Sequence, residues 1–407
     1  MAAPVIPPVT ADDVLSAREL LSGVVRTTPV AGARALSDLT GSRVGLKCEN
    51  LQRTGSFKIR GAYTRIARLS DDERAGGVVA ASAGNHAQGV ALAARLLGVR
   101  ATVYMPERAA LPKVDATRGY GAEVVLTGRT VDEAVTAATE AAERSGAVFV
   151  HPFDHPDIIA GQGTVGCEIL DQVPDVGTVL ISAGGGGLLG GTAAVLRAAR
   201  PDIRIVGVQA AGAAAWPSSL AAGAPMPVGG MRTMADGIAV GRPGDVTFAQ
   251  VSALIDEMVT VSEDALSAAL LHCLERAKML VEPAGAASVA ALMEQPDRWP
   301  GPVVCVLSGG NVDPLVLLQV IRHGLVASSR YLTLHLRMPD RPGALAELLA
   351  RVGRLGANVT DVAHSRIRGA LAVGEVDVEL SVETRGPEHR DAIVADLREA
   401  GHAVATP

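Results

Sequence analysis

Aromatic residues are scarce in this sequence: Phe, Trp and Tyr together make up 2% of 407 residues. The core must therefore be built from the Ala, Val and Leu that dominate a 48% hydrophobic composition. Excess positive charge is missing as well; the formal net charge is −6, which argues against a nucleic-acid-binding domain. No uncharged apolar run reaches the roughly 18 residues of a membrane span, because the apolar stretches are helically patterned or broken by glycine. The first residues, MAAPVIPPVT, lack the basic segment and long apolar core of a secretory signal. Cys48, Cys167, Cys273 and Cys305 stand apart, with no CxxC and no histidine at metal-ligand spacing. Each sits among apolar residues, as reduced core thiols of a cytoplasmic protein do. A globular cytoplasmic chain without membrane or nucleic-acid partners is the expectation.

What is present is alternation. From RVGLKCEN (43–50) onward, short Val/Ala/Leu runs trade places with helical patterns: GGVVAAS, ATVYMP, AEVVLT, AVFV, GTVLISAG, IRIVGVQA and PVVCVLSG read as strands. SFKIRGAYTRIARL, GNHAQGVALAARLLG, PKVDATRGYG, VDEAVTAATEAAERSG, GLLGGTAAVLRAAR and SEDALSAALLHCLERAKML read as helices. Such alternation predicts α/β architecture, a parallel or mixed twisted sheet flanked by helices. A Gly/Ala/Pro-rich stretch from about 211 to 245 reads as irregular covering chain. Near residue 328 the pattern changes to β-α-β-β-α-β over roughly 75 residues, the ferredoxin-like order of an α+β domain. Its edge strands are candidates for pairing between chains.

Six stretches are candidates for chemistry. GSFKIRGA (55–62) isolates Lys58 beside Phe57, between glycines. Two readings stay open there: a surface lysine at a helix start, or an amine in a partly apolar pocket able to form a Schiff base. SAGGGGLLGG places Gly184, Gly185, Gly186 and Gly187 between a strand and a helix, a backbone cradle for an anion. The spacing is not GxGxxG and the following strand ends in Gln209 and Ala210, so a single phosphate fits better than a dinucleotide. ASAGNHAQG crowds Ser82, Asn85, His86 and Gln88 onto a second strand–helix turn, where they either receive a carboxylate or simply cap the helix. LSGGN ends a strand at Ser308, which is a ligand position or a turn former. Glu282 before Pro283 reads as a helix N-terminal carboxylate. HPFDHPDIIAGQGT (151–164) gathers two histidines and two aspartates, but its prolines favour a turn over a metal site.

Taken in this order, SFKIRGA, ASAGNHAQG, GGGGL and LSGGN resemble the pyridoxal-phosphate enzymes of the tryptophan-synthase β fold (fold type II). KCENLQRTGSFKIRGA, PKVDATRGYGAEV and PFDHPDIIAGQGT extend the likeness to the threonine dehydratase (threonine ammonia-lyase) branch over roughly residues 10–325. The resemblance implies a two-domain catalytic region, 1–327, with a large domain (about 1–50 and 152–327) and a small one (about 51–151). It implies that Lys58 holds pyridoxal 5'-phosphate and is the catalytic base, with Phe57 beside the ring. Asn85 would lie near the ring hydroxyl, Gly184 to Gly187 on the phosphate and Ser308 at the pyridine nitrogen. Ser82, Ala83, Gly84, Asn85 and His86 would surround the substrate carboxylate. The implied reaction is deamination of threonine to 2-oxobutanoate and ammonia, and of serine to pyruvate, in isoleucine synthesis or threonine breakdown. Serine racemase is a relative, but the position of its second acid/base serine is Ala83 here. Gln209 and Ala215 replace the carboxylates of that branch's metal site, so no metal is expected.

The segment 328–407, through DRPGALAELLARVGRLGANVTDV, resembles an ACT domain. That likeness implies a homo-oligomer, dimer or tetramer, and control by a branched-chain amino acid at the DRPGAL turn and Asn358. A racemase on the same scaffold and a catalytically silent amino-acid sensor are the alternatives. Lys58 together with the intact glycine loop counts against the sensor.

Overall fold

A computed structural model describes residues 7–366 and 371–405. Most of the N-terminal stretch read above for a signal (1–6) lies outside the described residues, as do Ile367 and Thr406 in the segment read as β-α-β-β-α-β. Two compact units meet in sequence at Leu317 and Leu318.

In the first unit the Val/Ala runs form two sheets. Six strands lie in the order Val30–Gly32, Val44–Cys48, Val303–Leu307, Thr178–Ser182, Arg204–Ala210 and Glu257–Val261. Neighbours are parallel except for the first, an antiparallel edge strand. Every residue of Thr178–Ser182 and Val303–Leu307 is buried, which explains why these strands read as unbroken apolar runs rather than alternations. The second sheet, Glu123–Leu126, Ala101–Met105, Val78–Ala81 and Val148–Phe149, is wholly parallel. Its core is small-residue packing around Ile59, Ala87, Val90, Val103 and Met105. The four cysteines are free and buried. No helix among the described residues is long and apolar enough to cross a membrane.

Three segments depart from the sequence reading. HPFDHP is a turn, but it leads straight into a helix, Pro156–Gln172. Pro156 sits in the first helical turn, where its missing N–H costs nothing. The helix is buried nearly all round and so lacks the apolar stripe that reveals helices in a sequence. Its glycines permit this closeness: a Cβ on Gly161 would lie 2.6 Å from the Arg60 carbonyl oxygen, and one on Gly163 2.6 Å from that of Gly191. The segment 211–245 holds a helix, Ala215–Ala222, because Trp216 buries completely and stacks on Phe248 with 6.0 Å between ring centroids. The helix read over 262–280 stops at His272 and a π turn, and Lys278 reverses the chain at φ 58°. That reversal carries Leu280 to Asn50, whose Nδ2 donates to its carbonyl at 3.0 Å, and Glu282 to Gly309.

The second unit is one antiparallel sheet ordered Asn358–Ser365, Glu375–Glu383, Tyr331–Pro339, Ala403–Ala405. Burial alternates along Tyr331–Pro339 as its sequence does. Leu334, Leu336, Val378 and Leu380 meet Leu348 and Val352 of helix Ala344–Arg354 and Ile393 and Leu397 of helix Pro387–Glu399.

Candidate active site

Ligands of parallel sheets sit beyond the carboxyl ends of the strands. Thr178–Ser182 ends at the glycine loop, Val303–Leu307 at Ser308, and Val78–Ala81 at Ser82 to Asn85. Val44–Cys48 leads through two 3-10 turns to Lys58, the first residue of helix Lys58–Ala67. The lysine segment is stitched to the central strand. Phe57 N–H donates to the Ser308 carbonyl at 3.2 Å, Ser56 pairs with Gly309, and Gly310 N–H donates to Gly55 at 2.9 Å.

Lys58 Nζ donates to the Pro152 carbonyl at 2.8 Å and lies 5.2 Å from the Phe57 ring centroid. Burial lowers its pKa from 10.5 to about 8, against the pull of the Glu282 carboxylate. An amine so placed keeps a substantial neutral fraction near neutral pH, the form that attacks a carbonyl.

The glycine loop is tied from behind. Trp216 Nε1 donates to the Gly184 carbonyl at 2.7 Å and Thr247 Oγ1 to the Gly185 carbonyl at 2.6 Å. The amides of Gly184, Gly185, Gly186 and Gly187 have no acceptor among the described residues. They converge at the N-terminus of the helix Gly187–Ala199, where the dipole favours an anion. Gly186 needs its freedom, at φ +100°. Gly185 needs its small size, because an added Cβ would collide with the Phe153 ring. Gly185→Ala is therefore expected to fold yet lose cofactor affinity by at least about tenfold, read by fluorescence titration of the cofactor-free enzyme.

At the four-stranded sheet, Ser82 Oγ accepts from Gly84 N–H at 3.1 Å, and the amides of Asn85 and His86 open helix Asn85–Leu97 with no acceptor among the described residues. Ala83 and Gly84 complete the turn. The His86 ring faces away into the lobe: Nε2 donates to the Val150 carbonyl at 2.8 Å. His86 thus offers the turn its backbone rather than its imidazole. The Asn85 side chain donates to Glu282 Oε1 at 2.6 Å and accepts from Asn311 Nδ2 at 2.8 Å. Ser308 is 4% exposed, and its hydroxyl has no partner among the described residues.

Burial holds His86 and His151 neutral, lowering their pKa from 6.5 to about 3 and about 4. The unfolded chain takes up protons below about pH 6.5 that the folded chain refuses, so stability falls as pH drops through this window. His86 alone removes about 3 kcal/mol between pH 7 and pH 4. Urea midpoints at the two pH values should show the loss, and His86→Gln should flatten it.

The His151, Asp154 and His155 side chains of HPFDHP already have hydrogen-bond partners within the chain. His151 Nδ1 accepts from Phe153 and Asp154 N–H, His155 Nδ1 caps helix Pro156–Gln172, and the Asp154 carboxylate caps helix Asp245–Leu254 through three N–H groups, each at 3.0 Å. Gln209 is likewise committed: Oε1 accepts from Trp216 N–H at 2.8 Å and Nε2 donates to Ala213 at 3.3 Å.

Sequence reasoning missed Phe153, Asn311 and a buried ionic cluster, and it took Glu282 for a helix-end charge. Glu282 does stand at the N-cap of helix Pro283–Glu294, but its carboxyl caps no helix amide and turns instead to Asn85. In the cluster, Arg60 forks onto both Glu49 oxygens at 2.8 Å and pairs with Glu168 Oε1 at 2.7 Å, while Lys47 pairs with Glu168 Oε2. The nearest available signal was Phe153 itself, one of four phenylalanines in the chain.

An anion cradle of unpaired amides, a neutral hydroxyl without a partner and a buried amine of lowered pKa suit one ligand. That ligand carries a phosphate, a ring heteroatom and a carbonyl. Pyridoxal phosphate has those three groups, so the residues present fit it.

Comparison with known proteins agrees. Residues 21–309 match the family model described as pyridoxal-phosphate dependent enzyme, and residues 333–402 match the ACT domain model. The chain is 46% identical over 396 residues to an L-threonine ammonia-lyase of Thermotoga maritima, covering 97% of this chain and 99% of that one. It is similar to the solved processed form of threonine deaminase isoform 2 from Solanum lycopersicum, at TM-score 0.74 and 37% identity over 80% of this chain and 94% of the other. Maize serine racemase is similar at TM-score 0.73 and 34% identity, over 79% and 99%.

Proposed function

The chain belongs to the pyridoxal-phosphate-dependent enzymes and carries an ACT domain, and on that premise we propose that its site deaminates L-threonine to 2-oxobutanoate and ammonia. The observation that carries the site assignment is the Lys58 amine, held at a pKa of about 8 on a segment stitched to Ser308. Pyridoxal phosphate supplies an electron sink for the charge left at the substrate α-carbon.

The chain's own residues do the rest. Lys58 would hold the cofactor through its carbonyl carbon and, once its amine is free, would take the substrate α-proton. The amides of Gly184 to Gly187 would hold the phosphate, and Phe57 would wall the ring. Ser308 would offer the ring nitrogen a neutral hydroxyl, where an aspartate would keep that nitrogen protonated. Charge left at the α-carbon would then spread less into the ring and would expel the β-hydroxyl, which would leave as water with the proton that Lys58 carries. The amides of the Ser82–His86 turn orient the substrate carboxylate. The released unsaturated amine tautomerises, adds one water and loses ammonia, so the water lost is returned and threonine equals 2-oxobutanoate plus ammonia. Serine follows the same path to pyruvate. A racemase needs a second acid/base on the opposite face of the substrate, and Ala83 supplies none.

The ACT domain is proposed to bind a branched-chain amino acid between copies of the chain, at the turn before helix Ala344–Arg354 and at Asn358. Asn358 Nδ2 donates to Glu383 at 3.1 Å, and Arg341 forks onto Glu347, so the turn already carries paired charges. The experiment is to incubate the purified holoenzyme with L-threonine and with L-serine. Oxoacid and ammonia in equal amounts are expected; D-serine formed in preference to pyruvate would contradict the assignment.

A further inference from the structure

We infer that Glu282 is a positioning residue for this reaction: its carboxyl fixes, across the cleft between the two sheets, which way the Asn85 carboxamide faces the cofactor. The inference rests on the reading of Asn85 as a neighbour of the cofactor ring. Glu282 precedes helix Pro283–Glu294, which packs on the six-stranded sheet, whereas Asn85 follows a strand of the four-stranded one. The bond between them, 2.6 Å from Nδ2 to Oε1, therefore joins the two lobes.

A carboxamide can flip with little change of shape, exchanging donor and acceptor. Here both ends are held. Asn311 Nδ2, which also donates to the Thr54 carbonyl at 2.6 Å, donates to Asn85 Oδ1, and an ionised Glu282 can only accept. A flipped Asn85 would set oxygen against carboxylate and amine against amine. One orientation remains, and it leaves the second Nδ2 hydrogen of Asn85 as a donor for the cofactor's ring oxygen. The seat is cut to size: a Cβ on Gly309 would collide with Glu282 Oε1 and lie 3.2 Å from Asn85 Nδ2. The backbone of Glu282 is fixed there too, its N–H donating to the Gly309 carbonyl at 3.0 Å.

The lock is conditional on charge. A protonated Glu282 can donate as well as accept, so a flip then gives up only the bond from Asn311 rather than both. Burial and the facing Asp236 raise its pKa to about 7, opposed by the Asn85 hydrogen bond and by Lys113 and Lys58. The lock is engaged above that pH and slackens below it.

The test uses holoenzymes of Glu282→Gln, Glu282→Asp, Asn85→Ala and the Glu282→Gln/Asn85→Ala double variant. Visible Schiff-base absorbance is followed from about pH 5.5 to 9, beside kcat and KM for L-threonine. Glu282→Gln should keep the absorbance, lose about tenfold in kcat with a smaller change in KM, and lose the inflection near pH 7. Glu282→Asp, which retains a titrating carboxyl, should recover the inflection. Adding Asn85→Ala to Glu282→Gln should cost no more than Asn85→Ala alone, since both break one bond. Multiplying losses, an inflection that persists in Glu282→Gln, or loss of cofactor from that variant would each overturn the inference. Failure of the underlying site reading shows elsewhere, as Schiff-base absorbance surviving in Lys58→Ala.

Discussion

Lys58→Ala is expected to lose oxoacid release by about 10⁴-fold and, with it, the visible absorbance of the holoenzyme. Two roles end together: the covalent hold on the cofactor and removal of the α-proton. No other amine can stand in. The sequence has four lysines, at 47, 58, 113 and 278. Lys47 is fully buried and bound to Glu168 and to the Thr28 carbonyl. Lys113 is held by Asp236 at 3.0 Å, and Lys278 sits where the chain reverses after the π turn. The loss is chemical rather than structural, because burial penalises the charged amine that alanine removes. Circular dichroism and the melting temperature of the cofactor-free variant should stay close to those of the parent.

Arg60→Ala should be the most destabilising single change in the first unit. Arg60, Glu49 and Lys47 are wholly buried, and Glu168 nearly so. Two cations face two carboxylates, and Thr28 Oγ1 and Thr164 Oγ1 satisfy remaining positions. Removing the arginine strands Glu49, whose pKa is held below its usual value by Arg60 against burial. Breaking a buried pair from one side costs about 3–5 kcal/mol, read as a fall in the denaturant midpoint. Arg60→Lys should restore only part of this, since an ammonium cannot fork onto both Glu49 oxygens. Arg60 lies two residues beyond Lys58 in the same helix. Activity should therefore fall even where the variant remains folded.

Much of this was legible in the sequence because the relevant physics is local. Buried parallel strands betray themselves as apolar runs, and the glycine loop announces a close backbone approach. The alternation in Tyr331–Pro339 follows directly from one face being buried. What escaped is what depends on partners distant in sequence. The helix Pro156–Gln172 has no stripe because it has no solvent face, and Trp216 makes a helix of a segment whose composition suggests loop. Glu282 sits 197 residues from Asn85, and Arg60 more than 100 from Glu168, so no spacing rule connects them. Asn311 was visible as the last letter of LSGGN, but its grip on Asn85 was not.

The most direct test of the site is to reduce the holoenzyme with borohydride, digest it and locate the pyridoxyl group by mass spectrometry. The pyridoxyl mass on the peptide containing Lys58, and on none holding Lys47, Lys113 or Lys278, is the predicted result. The group on any of those three lysines instead, or on none of the four, would contradict it.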